Sequence, residues 1–226
     1  MRPAFNSQGQ RRGCRLRVIV IVMQAVTEML KLVLASSSPR RRQLLAEAGY
    51  DFEVVDPPIE ELTDFGAALR PTGRAEALAY FKARSVAELM PHAYVIGADT
   101  VVAAAGAPGE LLGKPADSIE AERMLRRLSG TRHQVITGVA LLGPGGYRQI
   151  SSDVTHVTMR AMTKEEIEAY VASGEWIDKA GAYAIQESAD RFVEKVEGSF
   201  SNVIGMPMEM VGRMLAAASA GRGESD

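Results

Sequence analysis

Lys31-Leu32-Val33-Leu34-Ala35-Ser36-Ser37-Ser38-Pro39-Arg40-Arg41-Arg42 joins an apolar run to the start of a helix with only three serines between them. The run through Ala35 is apolar without alternation, as expected of a strand buried on both faces. Beyond the arginines, Leu44, Leu45 and Ala48 continue a helix that Gly49 ends. Ser38 is placed to cap that helix and Pro39 to be its first residue. Three arginines in a first turn oppose the helix dipole, which favours acids there. An anion seated at the turn would neutralise them. Free backbone N–H groups, serine hydroxyls and guanidinium forks make a phosphate-binding corner; the plainer reading is a solvated basic turn.

Short strands alternate with helices along the rest of the chain, which predicts the α/β class. Phe52–Val55 reads as a second strand, and Asp56-Pro57-Pro58-Ile59-Glu60-Glu61 as a loop, since tandem prolines break either ladder. Thr72–Met90 reads as a long helix with Ala75, Leu78, Ala79, Val86 and Leu89 on its apolar stripe. Lys82 falls on that stripe too, where an ammonium needs an anionic partner or a function. Tyr94–Ala98 predicts a strand ending at Asp99, continued by Val101–Ala104 towards a hairpin at Gly106-Ala107-Pro108-Gly109. Ser118–Leu128 reads as a helix capped by Ser118. Gln134–Leu142 and Ile150–Arg160 read as paired strands about Gly143-Pro144-Gly145-Gly146. Thr163-Lys164-Glu165-Glu166 is close to a capping box, and that helix ends near Ser173-Gly174. The last helix spans about Pro207–Ala218.

Length and charge narrow the function classes. The chain has 226 residues, 46% hydrophobic and 24% charged, enough for one sizeable core or one domain with two lobes. A net charge of −2 argues against a general nucleic-acid binder and favours a small phosphorylated ligand. The single cysteine, Cys14, excludes an intramolecular disulfide and a cysteine zinc site, and fits a reducing, cytoplasmic compartment. His92, His133 and His156 lack metal-ligand spacing and read as surface or structural residues. Residues 1–28 carry five arginines before the short apolar stretch Val18–Val22. They read as a disordered extension or a mis-assigned start ahead of Met29, rather than a targeting signal or a membrane span. Residues 29–218 are expected to form a single catalytic domain, and 219–226 a disordered tail.

Four charged features share one chemical logic. Glu60-Glu61 pairs carboxylates in a stiff loop. Asp99 follows two small residues, Gly97 and Ala98, that admit a close ligand. Lys82 faces inward from its helix. Gly113-Lys114-Pro115 fixes the backbone about a lysine. Each alone has a dull explanation. With the Ser-Pro-Arg corner they supply what phosphoanhydride hydrolysis needs: carboxylates to hold a divalent cation and activate water, and cations to stabilise phosphate charge.

These segments, with Leu128-Ser129-Gly130, His133–Val139, Asp178-Lys179-Ala180-Gly181-Ala182-Tyr183 and Gly198–Pro207, resemble the Maf family of nucleoside triphosphate pyrophosphatases over roughly Leu30–Leu215. The resemblance implies an inosine-triphosphatase-like fold: elongated, with a curved mixed sheet and a cleft between two lobes. It implies cleavage between the α and β phosphates to give nucleoside monophosphate and pyrophosphate. It makes Asp99 the general base, Glu61, Lys82 and Lys114 further catalytic residues, and Ser36, Ser38, Arg40 and Arg41 the phosphate-facing loop. A divalent cation, Mg²⁺ or Mn²⁺, is expected on Glu61 and Asp99. The branch acting on dTTP and UTP carries Arg, Thr and Gln where this chain has Arg41, Thr100 and Gln186; the branch acting on 7-methyl-GTP has Trp, Gln and Glu. A Gln amide also suits the N3–H donor and O4 acceptor of uracil or thymine. Ala184-Ile185-Gln186-Glu187 departs from the family's Gly-Ile-Gln-Gly. The alternatives are the same reaction on 7-methyl-GTP or another modified nucleotide, or a nucleotide-binding regulator of septum formation. The expected partners are a nucleoside triphosphate and, as a homodimer, a second copy of the chain, with neither nucleic-acid polymer nor membrane.

Overall fold

A computed structural model describes residues 31–58, 69–106 and 111–220. The expectations for residues 1–28, for Glu60 and Glu61, and for the turn at 107–109 lie outside those residues. Its centre is a seven-stranded mixed sheet. Strands β1 (Leu32–Ala35), β2 (Glu53–Val55), β3 (Tyr94–Ala103), β4 (Leu111–Leu112), β5 (Arg132–Gly143), β6 (Tyr147–Met159) and β7 (Val193–Glu197) lie in the order β2-β1-β3-β5-β6-β7, with β4 also paired to β3. β2, β1 and β3 run parallel; the remaining pairings are antiparallel. This is the mixed α/β architecture that the sequence predicts.

Helices α1 (Pro39–Glu47), α2 (Pro71–Ala87), α3 (Ser118–Leu128), α4 (Lys164–Ser173), α5 (Phe200–Ile204) and α6 (Met208–Ala220) cover the sheet. β1 is buried on both faces, as its unbroken apolar run requires. Leu32 and Leu34 face Leu45 of α1 and Met210, Val211 and Met214 of α6, while Val33 and Ala35 face Ala79, Ala83 and Val86 of α2. A separate cluster gathers Met124, Leu125 and Leu128 of α3, Ile167 and Tyr170 of α4, Phe192 and Val157. Leu44 of α1 packs against both this cluster and the one under α6. No helix among the described residues is long and apolar enough to cross a membrane.

Several local expectations change. Ser38 holds the N-cap position of α1 with Pro39 behind it, but its side chain makes no cap hydrogen bond. Asp117, not Ser118, caps α3 by accepting from the Glu120 N–H at 2.8 Å. α2 ends at Ala87, so Leu89 lies beyond it, 65% exposed. α6 continues through Ser219 and Ala220, where the sequence suggested a tail, and the Ser219 hydroxyl donates to the Leu215 carbonyl at 3.0 Å. The capping box at Thr163 and Glu166 forms as expected, and Gly174, at φ 75°, closes α4 in the left-handed conformation.

Candidate active site

β1 pairs with β3 only from Leu32–Tyr94 to Ala35–Gly97, and the chain then turns away into α1. β3 does not stop there. It runs to Ala103 because β5 pairs it along its whole length, from Val95–Leu142 to Ala103–Gln134. Asp99 is therefore inside a strand, not at its end as its sequence suggested. It still borders open space, because its parallel neighbour has just ended; crevices beyond the carboxyl ends of parallel strands are the usual ligand sites of such sheets. A cavity of about 510 Å³ occupies this notch. Asp99 shares its β3 face with Gly97 and looks towards α2, whereas Thr100 shares the opposite face with Ala98.

Gly97 serves a different purpose from the ligand approach expected of it, while Ala98 is buried on the opposite face, in the cluster with Leu45 and Met206. A Cβ on Gly97 would stand 2.5 Å from the Ala79 carbonyl oxygen and 2.7 Å from the Ala83 nitrogen. A Cβ on Gly138, the cross-strand partner of Asp99, would strike the backbone of Ala75 and Glu76. Two glycines and three alanines, Ala75, Ala79 and Ala83, thus bring α2 down onto the sheet. That approach delivers Lys82: its ammonium donates to Asp99 Oδ1 at 2.5 Å, and each side chain is 13% exposed. Removing either partner leaves a poorly solvated charge behind.

Above α1, the buried Ser36 hydroxyl accepts from the Ser38 N–H at 3.2 Å and from Arg41 Nη1 at 3.3 Å. Arg41 also donates through Nε to the Gly205 carbonyl at 2.9 Å and through Nη2 to Thr100 Oγ1 at 3.2 Å. The Thr137 hydroxyl donates to the Asn202 carbonyl at 3.1 Å. Its one proton is thereby used, so in the 2.9 Å contact between the two threonines Thr100 is the donor. Thr100 then offers lone pairs to Arg41. The guanidinium is fixed by a chain of polar groups running back to α5.

The opposite wall is the segment between α4 and β7. Ile177, Asp178, Lys179, Tyr183, Gln186 and Glu187 line the cavity there, together with Lys114 and Arg40. Arg40 lies at the low side of the ordinary arginine range because burial strips its solvent, an effect partly opposed by Glu187, Tyr170 and Asp178. Beneath this wall, buried His133 contacts the Tyr183 hydroxyl through Nε2 at 2.9 Å, while its Nδ1 has no partner among the described residues. Burial pushes this imidazole down to about 4. The cavity carries more cationic than anionic side chains, with Arg40, Arg41, Lys82, Lys114 and Lys179 against Asp99, Asp178 and Glu187. It is thus suited to a polyanion with an organic end.

Residues 31–218 match the family described as Maf-like protein. The chain belongs to the Maf family. The protein named dTTP/UTP pyrophosphatase from Geobacillus sp. is 47% identical over 180 residues, covering 80% of this chain and 94% of its own. The protein of the same name from Moorella thermoacetica is 47% identical over 189 residues, covering 83% and 95%. That from Deinococcus radiodurans is 44% identical, covering 83% and 93%. Among solved structures, the Ham1 protein of Staphylococcus aureus overlays 83% of this chain and 99% of its own at 11% identity and a TM-score of 0.49.

In this Maf protein, Ser36, Ser38, Arg40, Arg41, Lys82, Asp99, Thr100, Lys114 and Gln186 all line the one cavity, and Glu61 lies outside the described residues. Arg42, the third arginine of the corner, is exposed and lines no part of it. Gln186 is also exposed, at the cavity rim rather than in its floor. Thr137 and Asn202, which hold Thr100, and Lys179 lie in the resembling segments but carry no expected role from the sequence. Asn202 is wholly buried, with Nδ2 donating to the Val135 carbonyl at 3.0 Å and to Thr155 Oγ1 at 2.9 Å. A buried amide that ties α5 to β5 and β6 leaves no periodic signal in a sequence. Its presence in the motif Ser201-Asn202-Val203-Ile204-Gly205 was the one available pointer.

Proposed function

We propose that this Maf protein is a dTTP/UTP pyrophosphatase, hydrolysing these nucleotides to the nucleoside monophosphate and pyrophosphate. The observation that carries the reading is the cavity itself, where the Lys82–Asp99 ion pair and the Arg41–Thr100 contact share one space. The names of the related proteins support the same substrates. Residues 29–218 act as one catalytic unit, and a nucleotide substrate, with the chain's single cysteine, fits the cytoplasm.

In the proposed reaction Asp99 accepts a proton from water as the water oxygen bonds to the α-phosphorus. The bond from that phosphorus to the bridging oxygen breaks, and pyrophosphate leaves with the electron pair. Lys82 holds the Asp99 carboxylate in place through Oδ1. Lys114, Arg40 and the Ser36–Ser38 loop face the phosphate chain and stabilise charge that builds on its oxygens. Arg41, at the end of the phosphate-facing loop, joins Thr100 and Gln186 beside the base; the fixed Arg41–Thr100 pair shapes its pocket, and Gln186 borders it from the rim. Among the described residues no three His, Cys, Asp or Glu side chains converge on a metal site. Asp99 with Glu61 supplies carboxylate oxygens, which together with phosphate oxygens suit a hard cation such as Mg²⁺ or Mn²⁺. Bound there, the cation would neutralise phosphate charge and favour ionisation of water.

The test is a panel of dTTP, UTP, GTP and 7-methyl-GTP assayed with Mg²⁺ and with excess EDTA. The highest kcat/KM is expected for dTTP and UTP, with activity lost in EDTA. A preference for 7-methyl-GTP, or full activity in EDTA, contradicts the substrate or metal assignment respectively.

A further inference from the structure

We propose that Lys179 and Arg40 form a seat for the polyphosphate end of the substrate, and that Glu187 occupies this seat as a built-in anion until phosphate displaces it. The inference rests on the proposed nucleotide chemistry of the cavity, in which Arg40 already faces the phosphates, and extends it to Lys179 and Glu187, to which that chemistry gave no role.

The wall that carries Lys179 is built at a conformational cost. Asp178 and Ala182, both non-glycine, adopt φ of 60° and 63°, a region side-chain-bearing residues seldom enter and one that clusters at functional sites. The backbone between them is pinned. The Lys179 N–H donates to the Trp176 carbonyl at 3.1 Å, the Ala182 N–H donates to the Lys179 carbonyl at 3.0 Å, and the Gly181 N–H donates to Gly113 beside Lys114 at 3.0 Å. Lys179 is therefore held at a fixed place in the cavity wall, next to another cationic segment.

Its side chain is only 17% exposed. It donates to the Ile177 carbonyl at 3.3 Å and lies 3.9 Å from Glu187 Oε1, beyond a good hydrogen bond. Burial and the nearby Arg40 charge both disfavour the protonated lysine, and Glu187, Asp178 and Glu175 oppose them. Arg40, Lys179, Asp178 and Glu187 line the same cavity wall; of the two carboxylates it is Glu187, its side chain 40% exposed, that lies in loose ion-pair range of Lys179. A phosphate oxygen can approach closer than 3.9 Å and satisfy both cations; Glu187, on an exposed turn, is free to swing to solvent. Where the resembled family has glycine, this chain carries its own competitor for the phosphate.

Titration calorimetry with inorganic pyrophosphate in Mg²⁺ buffer tests the seat without any turnover. Lys179→Met is expected to weaken binding about ten- to a hundredfold, the usual consequence of losing a charged hydrogen-bond partner. Lys179→Arg should restore most of it. Glu187→Gln, a charge-only change at an exposed site, should tighten binding by about three- to tenfold. Unchanged affinity in Lys179→Met, or unchanged or weakened affinity in Glu187→Gln, overturns the proposal, as does an unaltered protein that fails to bind pyrophosphate. If the variants behave as expected while the protein hydrolyses neither dTTP nor UTP, the seat stands and the substrate assignment falls.

Discussion

Asp99 is asked to do two things that an asparagine cannot: accept a proton and hold the Lys82 ammonium at 2.5 Å. Asp99→Asn keeps the shape, so the protein should fold while kcat falls by about 10²–10⁴, the range for a missing general base. Near-normal turnover in the folded variant would remove Asp99 from this role. At the rim, Gln186 can donate to a pyrimidine O4 and accept from N3–H, whereas a glutamate can only accept. Gln186→Glu should lower kcat/KM for dTTP and UTP by roughly tenfold or more relative to 7-methyl-GTP, provided the bound base buries the pair. Unchanged ratios among the three substrates would make Gln186 structural. The residue types at this site were legible because charge and small residues cluster in short motifs. Their surroundings were not. Nothing in Gly97-Ala98-Asp99 says whether the glycine admits a ligand or a helix; only the 2.5 Å approach to Ala79 decides for the helix.

Packing of α2 on β3 and β5 links stability to catalysis. Gly97→Ala would drive a methyl group into the Ala79 carbonyl, against backbone that cannot rotate away. A loss of about 1–3 kcal/mol or more in denaturant unfolding is expected, as for other overpacked cores. Because the same helix carries Lys82, kcat should fall too; a destabilised variant with unchanged kcat would separate the helix seat from the Lys82–Asp99 geometry. Beneath the far wall, His133 is held down to about 4 by burial, against 6.5 in the unfolded chain. Between those values the unfolded state binds the extra proton, so stability rises with pH across the window. The contribution, on the order of 3 kcal/mol, is complete above pH 6.5 and lost as pH falls towards 4. His133→Gln should flatten the dependence of unfolding midpoint on pH between 4 and 6.5; an unchanged slope would assign it to other groups. Helices and the long β5–β6 pair were legible from periodicity and turn glycines. The continuation of β3 through Val101–Ala103 was also legible from its apolar residues; that Asp99 lies within the ladder and not at its end was not, because Gly138 of β5 supplies that pairing.

Two apolar centres, one under α1 and α6 and one under α3 and α4, meet near Leu44, and the cavity takes side chains from the elements around both. The family match spans residues 31–218, and the site residues described lie within it. A chain beginning at Met29 is therefore expected to keep the melting temperature and kcat/KM of the full sequence. A marked fall in either would make residues 1–28 part of the working fold. The α/β class was legible from alternation alone, whereas the meeting of residues 36–41, 82, 99–100, 114 and 186 was supplied by the family resemblance, because no spacing rule joins segments so far apart.

The central claim is that water attacks the α-phosphorus in this cavity. Hydrolysis of dTTP in H₂¹⁸O with Mg²⁺, with products resolved by mass spectrometry, tests it most directly. The account predicts dTMP and pyrophosphate in equal amounts, with the heavy oxygen in dTMP. Release of dTDP and inorganic phosphate, or heavy oxygen in the pyrophosphate, would contradict it.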